Sequence, residues 1–357
     1  MSLGIDLENE ILAWLPPKSL MRFRCVQKSW NLLFETPNFF KKWRMNMSDR
    51  RSHVIFYQTE PYVTLLSSDN IIHIKSLFFS DARHAIKIKS YGSCNGVFCL
   101  NALCWFHCRC FDELIMWNPA IREVHRIPPT PRLNSGSPLY GFGADDPNST
   151  DFKVVKLHTT YDMTAEVYSL STKSWIPTQN PPPFTIITRR HNSKFNTLVN
   201  GVYHWITNDP DDYNYNGANI LCFDFRNNQF GQLTGPAFSY EDYSFLWDDV
   251  AEIEGSLAYV AYVLQCNFPN RIILKIWIMD QSGWNEKYSI CPVATEFLLR
   301  GLWKNGAQLF GGYVEEPLTL CDRQGNAICK FQIDVNFKKY WVHEYMPSIA
   351  PLGRTRH

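Results

Sequence analysis

Soft metal ligands crowd one short run of the chain, Cys104-Trp105-Phe106-His107-Cys108-Arg109-Cys110, where three thiols and an imidazole fall together. Those are the groups that hold zinc. Structural zinc sites draw ligand pairs from two separated segments, however, and no second half follows here. Reduced cysteines in a loop between two strands are therefore expected, and neither a metal nor a cofactor. No phosphate-cradling glycine loop, His-Glu-x-x-His zinc pattern or Gly-x-Ser-x-Gly elbow occurs in the sequence. The ten histidines are scattered, and His204, between Tyr203 and Trp205, is expected to be a hydrogen-bonded core residue rather than a base. A non-catalytic protein follows.

Recognition chemistry is easier to find. Asp209, Asp211, Asp212, Tyr213 and Tyr215 crowd one segment, and Tyr240, Glu241, Asp242 and Tyr243 another. From Asn227 to Asn270 there is no Lys or Arg, against carboxylates at 241, 242, 248, 249, 252 and 254. Tyrosine is a favoured interface anchor, and a local acidic patch steers a basic partner, so these residues are the candidate substrate-binding surface. A solvated loop cluster is the plain alternative. The chain as a whole has a formal net charge of +1 and only 19% charged residues, which gives no field for nucleic acid or an anionic membrane. Its apolar runs are strand-length, and Met1–Glu10 lacks a signal-like core, so a cytoplasmic protein is expected, with the nucleus also compatible. The eleven cysteines are then reduced, and the sequons at Asn46 and Asn148 accidental.

The elements that must position these residues repeat. An Asn-Gly or Glu-Gly turn leads into an apolar strand at Gly96, Gly201, Gly255 and Gly306, at intervals of 105, 54 and 51. A second landmark, a strand ending in Asn, Ser or Asp, recurs as Met116-Trp117-Asn118, Val167-Tyr168-Ser169, Cys222-Phe223-Asp224, Ile278-Met279-Asp280 and Leu320-Cys321-Asp322. A fainter unit runs through Val54–Tyr57 and Val63–Ile74. Four short antiparallel strands per unit is the propeller-blade pattern. An all-β propeller of about six blades is expected over residues 50–350, closed by a strand around Tyr340–Tyr345. In one unit the strands read Phe195–Val199, Val202–Ile206, Ile220–Phe225 and Phe230–Leu233, so that both acidic segments open on one end of the ring. The Pro-rich stretches Ile127–Pro131 and Pro177–Pro183 read as links between blades.

Residues 1–46 read instead as a small all-α module of three helices. Asp6 can cap a helix whose apolar residues Leu7, Ile11, Trp14 and Leu15 recur at helical spacing before Pro16-Pro17. A second helix carries Leu20 and Phe23. A third, Gln27–Phe34, carries Trp30 and Leu33 and stops at Thr36-Pro37. So small a unit must bury its apolar face on a partner or on the domain that follows, and periodicity alone leaves both open.

The run from Ile11 to Trp30, with Leu15-Pro16-Pro17-Lys18-Ser19-Leu20 at its centre and Lys28-Ser29-Trp30 at its end, resembles the F-box motif of plant F-box proteins. Leu3-Gly4-Ile5 stands where that family usually has Leu-Pro. Ser93-Cys94-Asn95-Gly96, Met116-Trp117-Asn118-Pro119, Gly141-Phe142-Gly143 and Asp151-Phe152-Lys153-Val154-Val155 are similar to the kelch-like F-box-associated domain. The resemblance implies a substrate-recognition subunit of a Skp1-cullin-F-box ubiquitin ligase. Ile11, Leu12, Leu15, Pro16, Leu20, Phe23, Val26 and Trp30 would bind the Skp1-type adaptor, and through it cullin, while the propeller captures a protein for ubiquitylation. Pro17–Phe23 further resembles S-locus F-box proteins, which implies a basic pistil S-ribonuclease as the substrate in self-incompatibility. The competing readings are a propeller that binds a glycan or small molecule, and a propeller enzyme with an unrelated helical start.

Overall fold

The computed structural model describes residues 5–353 other than 48–51, 58–62, 67–70, 75–84, 107–108, 131–137, 147, 159–163, 180–181, 183–192, 194, 196, 208–218, 238–242, 266–271, 294–297, 304–307, 313–317, 323, 325 and 332–339. Four helices come first: α1 (Ile5–Leu12), α2 (Pro17–Phe23), α3 (Lys28–Phe34) and α4 (Pro37–Asn46). The fourth begins where the sequence reading stops. Thr36-Pro37 ends α3, but the Thr36 hydroxyl also accepts from the Phe39 amide at 3.3 Å, and Pro37 supplies the fixed φ of a first helical turn. The Trp43 indole N–H donates to the Leu15 carbonyl at 2.9 Å and the Asn46 amide to the Ala13 carbonyl at 3.2 Å, which ties α4 beneath the link between α1 and α2.

Twenty-four strands follow in six antiparallel four-stranded sheets, one per blade. The first blade holds β1 (Ser52–Tyr57), β2 (Val63–Leu66) and β3 (Ile71–Ile74), and the second β4 (Ala85–Cys94), β5 (Val97–Phe106), β6 (Arg109–Asn118) and β7 (Glu123–Arg126). The third holds β8 (Leu139–Ala144), β9 (Phe152–Leu157), β10 (Ala165–Ser169) and β11 (Ser174–Pro177), and the fourth β12 (Leu198–Val199), β13 (Val202–Thr207), β14 (Asn219–Asp224) and β15 (Gln229–Thr234). The fifth holds β16 (Tyr243–Ile253), β17 (Ser256–Gln265), β18 (Ile272–Asp280) and β19 (Gly283–Val293), and the sixth β20 (Leu298–Trp303), β21 (Gln308–Gly312), β22 (Leu318–Cys321) and β23 (Ala327–Phe331). Finally β24 (Tyr340–Tyr345) returns to pair with β1 from Ser52 opposite Tyr345 to Tyr57 opposite Tyr340, completing the first blade.

Both landmarks of the repeat have a local cause. Asn95-Gly96, Asn200-Gly201 and Glu254-Gly255 all have positive φ at both positions, the tight turn that matches strand twist, and they join the first strand of a blade to the second. Gly306 lies outside the described residues. The Asn or Asp that ends a third strand turns the chain: Asn118, Asp224, Asp280 and Asp322 each accept, through Oδ1, from the backbone N–H two residues on.

All of these turns fall on one end of the ring, the turn face. The second strands end, and the third strands begin, at the other end of the ring, the loop face. Glycine lets inner strands approach their neighbours. A Cβ on Gly143 would sit 2.5 Å from the Phe225 ring, and one on Gly96, already at φ +74°, 2.2 Å from the Met346 carbonyl. Over Gly141, the Tyr203 hydroxyl reaches across to donate to the Tyr91 carbonyl at 3.1 Å.

Three substitutions separate these causes. Gly255→Ala, at φ +78° with nothing within 4 Å, meets backbone strain alone and costs roughly 1–2 kcal/mol. Gly143→Ala meets overpacking alone, roughly 1–3 kcal/mol. Gly96→Ala meets both and exceeds either in urea unfolding.

Candidate functional site

Two surfaces stand out, one on the helices and one on the loop face. Among the described residues, six of the eight exposed large hydrophobics belong to the helical module: Leu7, Ile11, Trp14, Val26, Leu32 and Met45. Leu7, Ile11 and Trp14 follow the i, i+4, i+7 spacing of one helix face, although Trp14 lies just past the end of α1. A cluster of this kind on a small unit marks an interaction site.

The residues expected to meet the adaptor divide. Ile11, Pro16 and Val26 are exposed, with Val26 at 66%, whereas Leu12 and Leu20 are buried and Leu15, Phe23 and Trp30 are half-buried against the same cluster. The Phe23 and Trp30 rings lie 5.6 Å apart, and the Trp30 indole N–H donates to Glu8 at 3.3 Å. That cluster continues through Phe39, Phe40 and Trp43 of α4 into Cys94 and Val97 of the second blade and Ile349 and Leu352 beyond β24. Part of the apolar pattern thus pins the helices to the propeller, and part faces outward. Leu7, Trp14, Leu32 and Met45 were not among the expected contacts. Met45 belongs to the unrecognised fourth helix.

Of the expected substrate-binding residues, Asp209, Asp211, Asp212, Tyr213, Tyr215, Tyr240, Glu241 and Asp242 lie outside the described residues, and Tyr243 opens β16 opposite Gln265, at the loop-face end of the strand. The remaining carboxylates of the acidic run do not share that face, because β16 carries the chain from one end of the ring to the other. Asp248 and Asp249 are buried on the strand, and the Tyr259 hydroxyl donates to Asp248 at 2.6 Å. Glu252 and Glu254 reach the turn face, where Glu252 accepts from the Gly255 amide and Glu254 lies 3.6 Å from Lys287.

The cysteine-rich run is corrected as well. Most of it is strand: β5 continues to Phe106 and β6 resumes at Arg109, with Trp105 opposite Cys110, because Cys, Trp and Phe suit a pleated strand, and His107 and Cys108 lie outside the described residues. This lengthening gives the face its relief. The second and third strands of the second blade have ten residues each and those of the fifth blade ten and nine, against six in β9, β13 and β14. All second strands begin near the turn face, so the extra three or four residues of pairing extend toward the loop face, by about 10–13 Å at ~3.3 Å per residue. In a ring of six, the second and fifth blades stand opposite each other.

No group of three or more His, Cys, Asp or Glu among the described residues could hold a metal. Burial pushes the Cys94 and Cys222 thiols up to about 12, so both stay protonated. His204 is buried, its pKa lowered by that burial, and its Nδ1 donates to the Thr197 carbonyl at 3.0 Å. His158 Nε2 lies 3.1 Å from Glu166, which also accepts from the Thr130 hydroxyl. Both partners converge on one carboxylate oxygen, and the effect is to fasten the link between the second and third blades.

Residues 1–42 match the F-box domain family and residues 47–349 the F-box associated beta propeller domain family. The chain belongs to the F-box proteins that carry an F-box associated β-propeller. It is similar to an F-box/kelch-repeat protein of Arabidopsis thaliana, 24% identical over 325 residues that cover 85% of this chain and 82% of that one. An F-box protein of the same plant is 29% identical over 247 residues, 65% of this chain and 60% of the relative. Among solved structures, AofleA from Arthrobotrys oligospora aligns at 11% identity and a TM-score of 0.41 over 83% of this chain and 93% of that one. No helix among the described residues is long and apolar enough to cross a membrane.

His343 on β24 gives a pH prediction. Burial lowers its pKa to about 4, whereas in the unfolded chain it titrates near ~6.5. Only the unfolded state takes the proton between these values, so stability present above about pH 6.5 is lost as pH falls toward 4, by roughly 3 kcal/mol in all. His343→Gln should flatten that part of a stability-against-pH curve measured by urea unfolding.

Proposed function

We propose that this chain is the substrate receptor of a Skp1-cullin-F-box ubiquitin ligase. The exposed row Leu7, Ile11 and Trp14, with Val26, Leu32 and Met45 near it, carries the reading, since a module with its own core otherwise has no reason to leave them uncovered. The Skp1-type adaptor covers them, and cullin joins through it. A receptor needs no catalytic residue, because holding a lysine near a charged ubiquitin carrier raises its effective concentration. The protein substrate binds on the loop face, beside the raised fifth blade, through the acidic and aromatic segments from Asp209 to Tyr215 and from Tyr240 to Tyr243. A basic protein suits them, and the S-locus resemblance supports a pistil S-ribonuclease.

Leu20 is fully buried, so charging it would unfold the module and test nothing. Ile11→Asp and Val26→Asp are the informative variants. Each is expected to keep the wild-type melting temperature and to weaken co-purification with the adaptor about tenfold or more, the loss of ~1.5–3 kcal/mol of apolar burial. A complex of undiminished affinity in both variants would discard the receptor reading. For the substrate face, a Glu241→Lys, Asp242→Lys double variant should bind a basic partner more weakly at low salt and converge with wild type at high salt. Identical binding across the titration removes the acidic segments from the site.

A further inference from the structure

Charge on the helical module is sorted by helix. The carboxylates before Ile11 all stand in α1, as Asp6, Glu8 and Glu10, and no Lys or Arg accompanies them. From Ile11 to Phe34 the order reverses, and Lys18, Arg22, Arg24 and Lys28 occur without a single Asp or Glu. Much of the acidic charge is already engaged, since Glu8 accepts from the Trp30 indole and Glu10 pairs with Lys42. Lys18, Arg22 and Lys28 are exposed and have no ion-pair partner among the described residues.

These cations frame an apolar residue. Lys18 and Arg22 stand one turn apart on α2, and Val26 follows four residues on, in turns that carry the helical bonding past Phe23. Cys25 to Ser29 are exposed without interruption, so Val26 and Lys28 share the open edge between α2 and α3. Arg24 adds a charge that the fold leaves uncompensated. It is half-buried, and its Nε and Nη2 are closed off from solvent with no acceptor among the described residues. Such a cation is costly, and a carboxylate brought alongside removes part of the cost. An apolar residue framed by cations fits a surface whose apolar patch is framed by carboxylates.

We propose that this edge receives an acidic segment of the adaptor, with carboxylates against Lys18, Arg22 and Lys28, one more at Arg24, and an apolar side chain over Val26. Given the receptor reading on which this rests, the two sides of the module have different tasks. Leu7, Ile11 and Trp14 on the α1 side hold the complex by burial, whereas the basic edge sets how fast it forms and in which orientation.

Stopped-flow association of the full-length chain with a purified Skp1-type adaptor, at rising salt, tests this. The wild-type association rate should fall about tenfold from low to high salt. A Lys18→Glu, Arg22→Glu, Lys28→Glu triple variant should associate about tenfold more slowly at low salt, converge with wild type at high salt, and keep its melting temperature. Lys28→Glu alone should slow association severalfold, and Lys330→Glu, the same charge change on β23 of the sixth blade, should not. Arg24→Met should dissociate faster without a lower melting temperature, a combination that a purely structural role for Arg24 would not give. A wild-type rate indifferent to salt, a triple variant as fast as wild type, or equal slowing by Lys330→Glu overturns the proposal. So does a triple variant that loses only a grip on anionic vesicles or RNA. If Ile11→Asp weakens the complex while charge reversal does nothing, the receptor reading stands and the acidic segment falls; a wild-type chain that binds no adaptor at any salt removes both.

Discussion

The pairing of β24 with β1 is the contact on which the remaining architecture rests. It joins the end of the chain to the start of the ring across six residue pairs, and it gives the first blade its innermost strand. Without β24 the sixth blade would lose its neighbour, since Gly301 of β20 packs so close that a Cβ there would lie 2.4 Å from the Val342 carbonyl. Tyr345 enters the core of the second blade, its ring 5.7 Å from that of Phe98. A contact so distant in sequence recoups its loop-closure entropy only when the intervening blades are already formed, so closure is a late and cooperative event. Beyond β24 the chain runs back across the turn face. Asn118 donates to the carbonyls of Ser348 and Ala350, and the Leu352 amide donates to Glu123.

That return strap decides where the helices sit. Because β24 fills the innermost position, β1 becomes the second strand of its blade and begins at the turn face, directly after α4. The helices therefore lie on the turn face, in a cluster with Ile349 and Leu352 of the strap, and the loop face stays open. In the receptor reading proposed above, adaptor and substrate would then meet the chain at opposite ends of the ring, so that neither blocks the other.

What could be read in the sequence was what a single residue type enforces. Asn95-Gly96 announces its turn because few residues tolerate positive φ, and Asp224 or Asp280 because its carboxylate closes its own turn. Those two signals, with the fainter unit through Val54–Ile74, gave an expectation of about six blades. Thr36-Pro37 was ambiguous in principle, since one pair of residues both ends a helix and begins the next. The height of the second and fifth blades was hidden because strand length has no marker of its own, and the soft ligands of Cys104 to Cys110 drew attention to chemistry instead of to continued pairing. The acidic run misled for a related reason. Neighbours in sequence share a face only if the chain between them turns, and from Tyr243 to Glu254 it crosses the ring.

The divided fate of the helical apolar residues follows from volume. Leu12 and Leu20 are buried because α4 brings Phe39, Phe40 and Trp43 beneath them, and that small core is then full. Ile11, lying beside Leu12 in α1, must point elsewhere, and so must Val26 and Leu32. Tilting the module onto the propeller could cover them only by surrendering the cluster that α4 shares with Cys94, Val97, Ile349 and Leu352. The fold thus satisfies its own interior before it has used all its apolar surface, and the remainder is left where a second polypeptide can reach it.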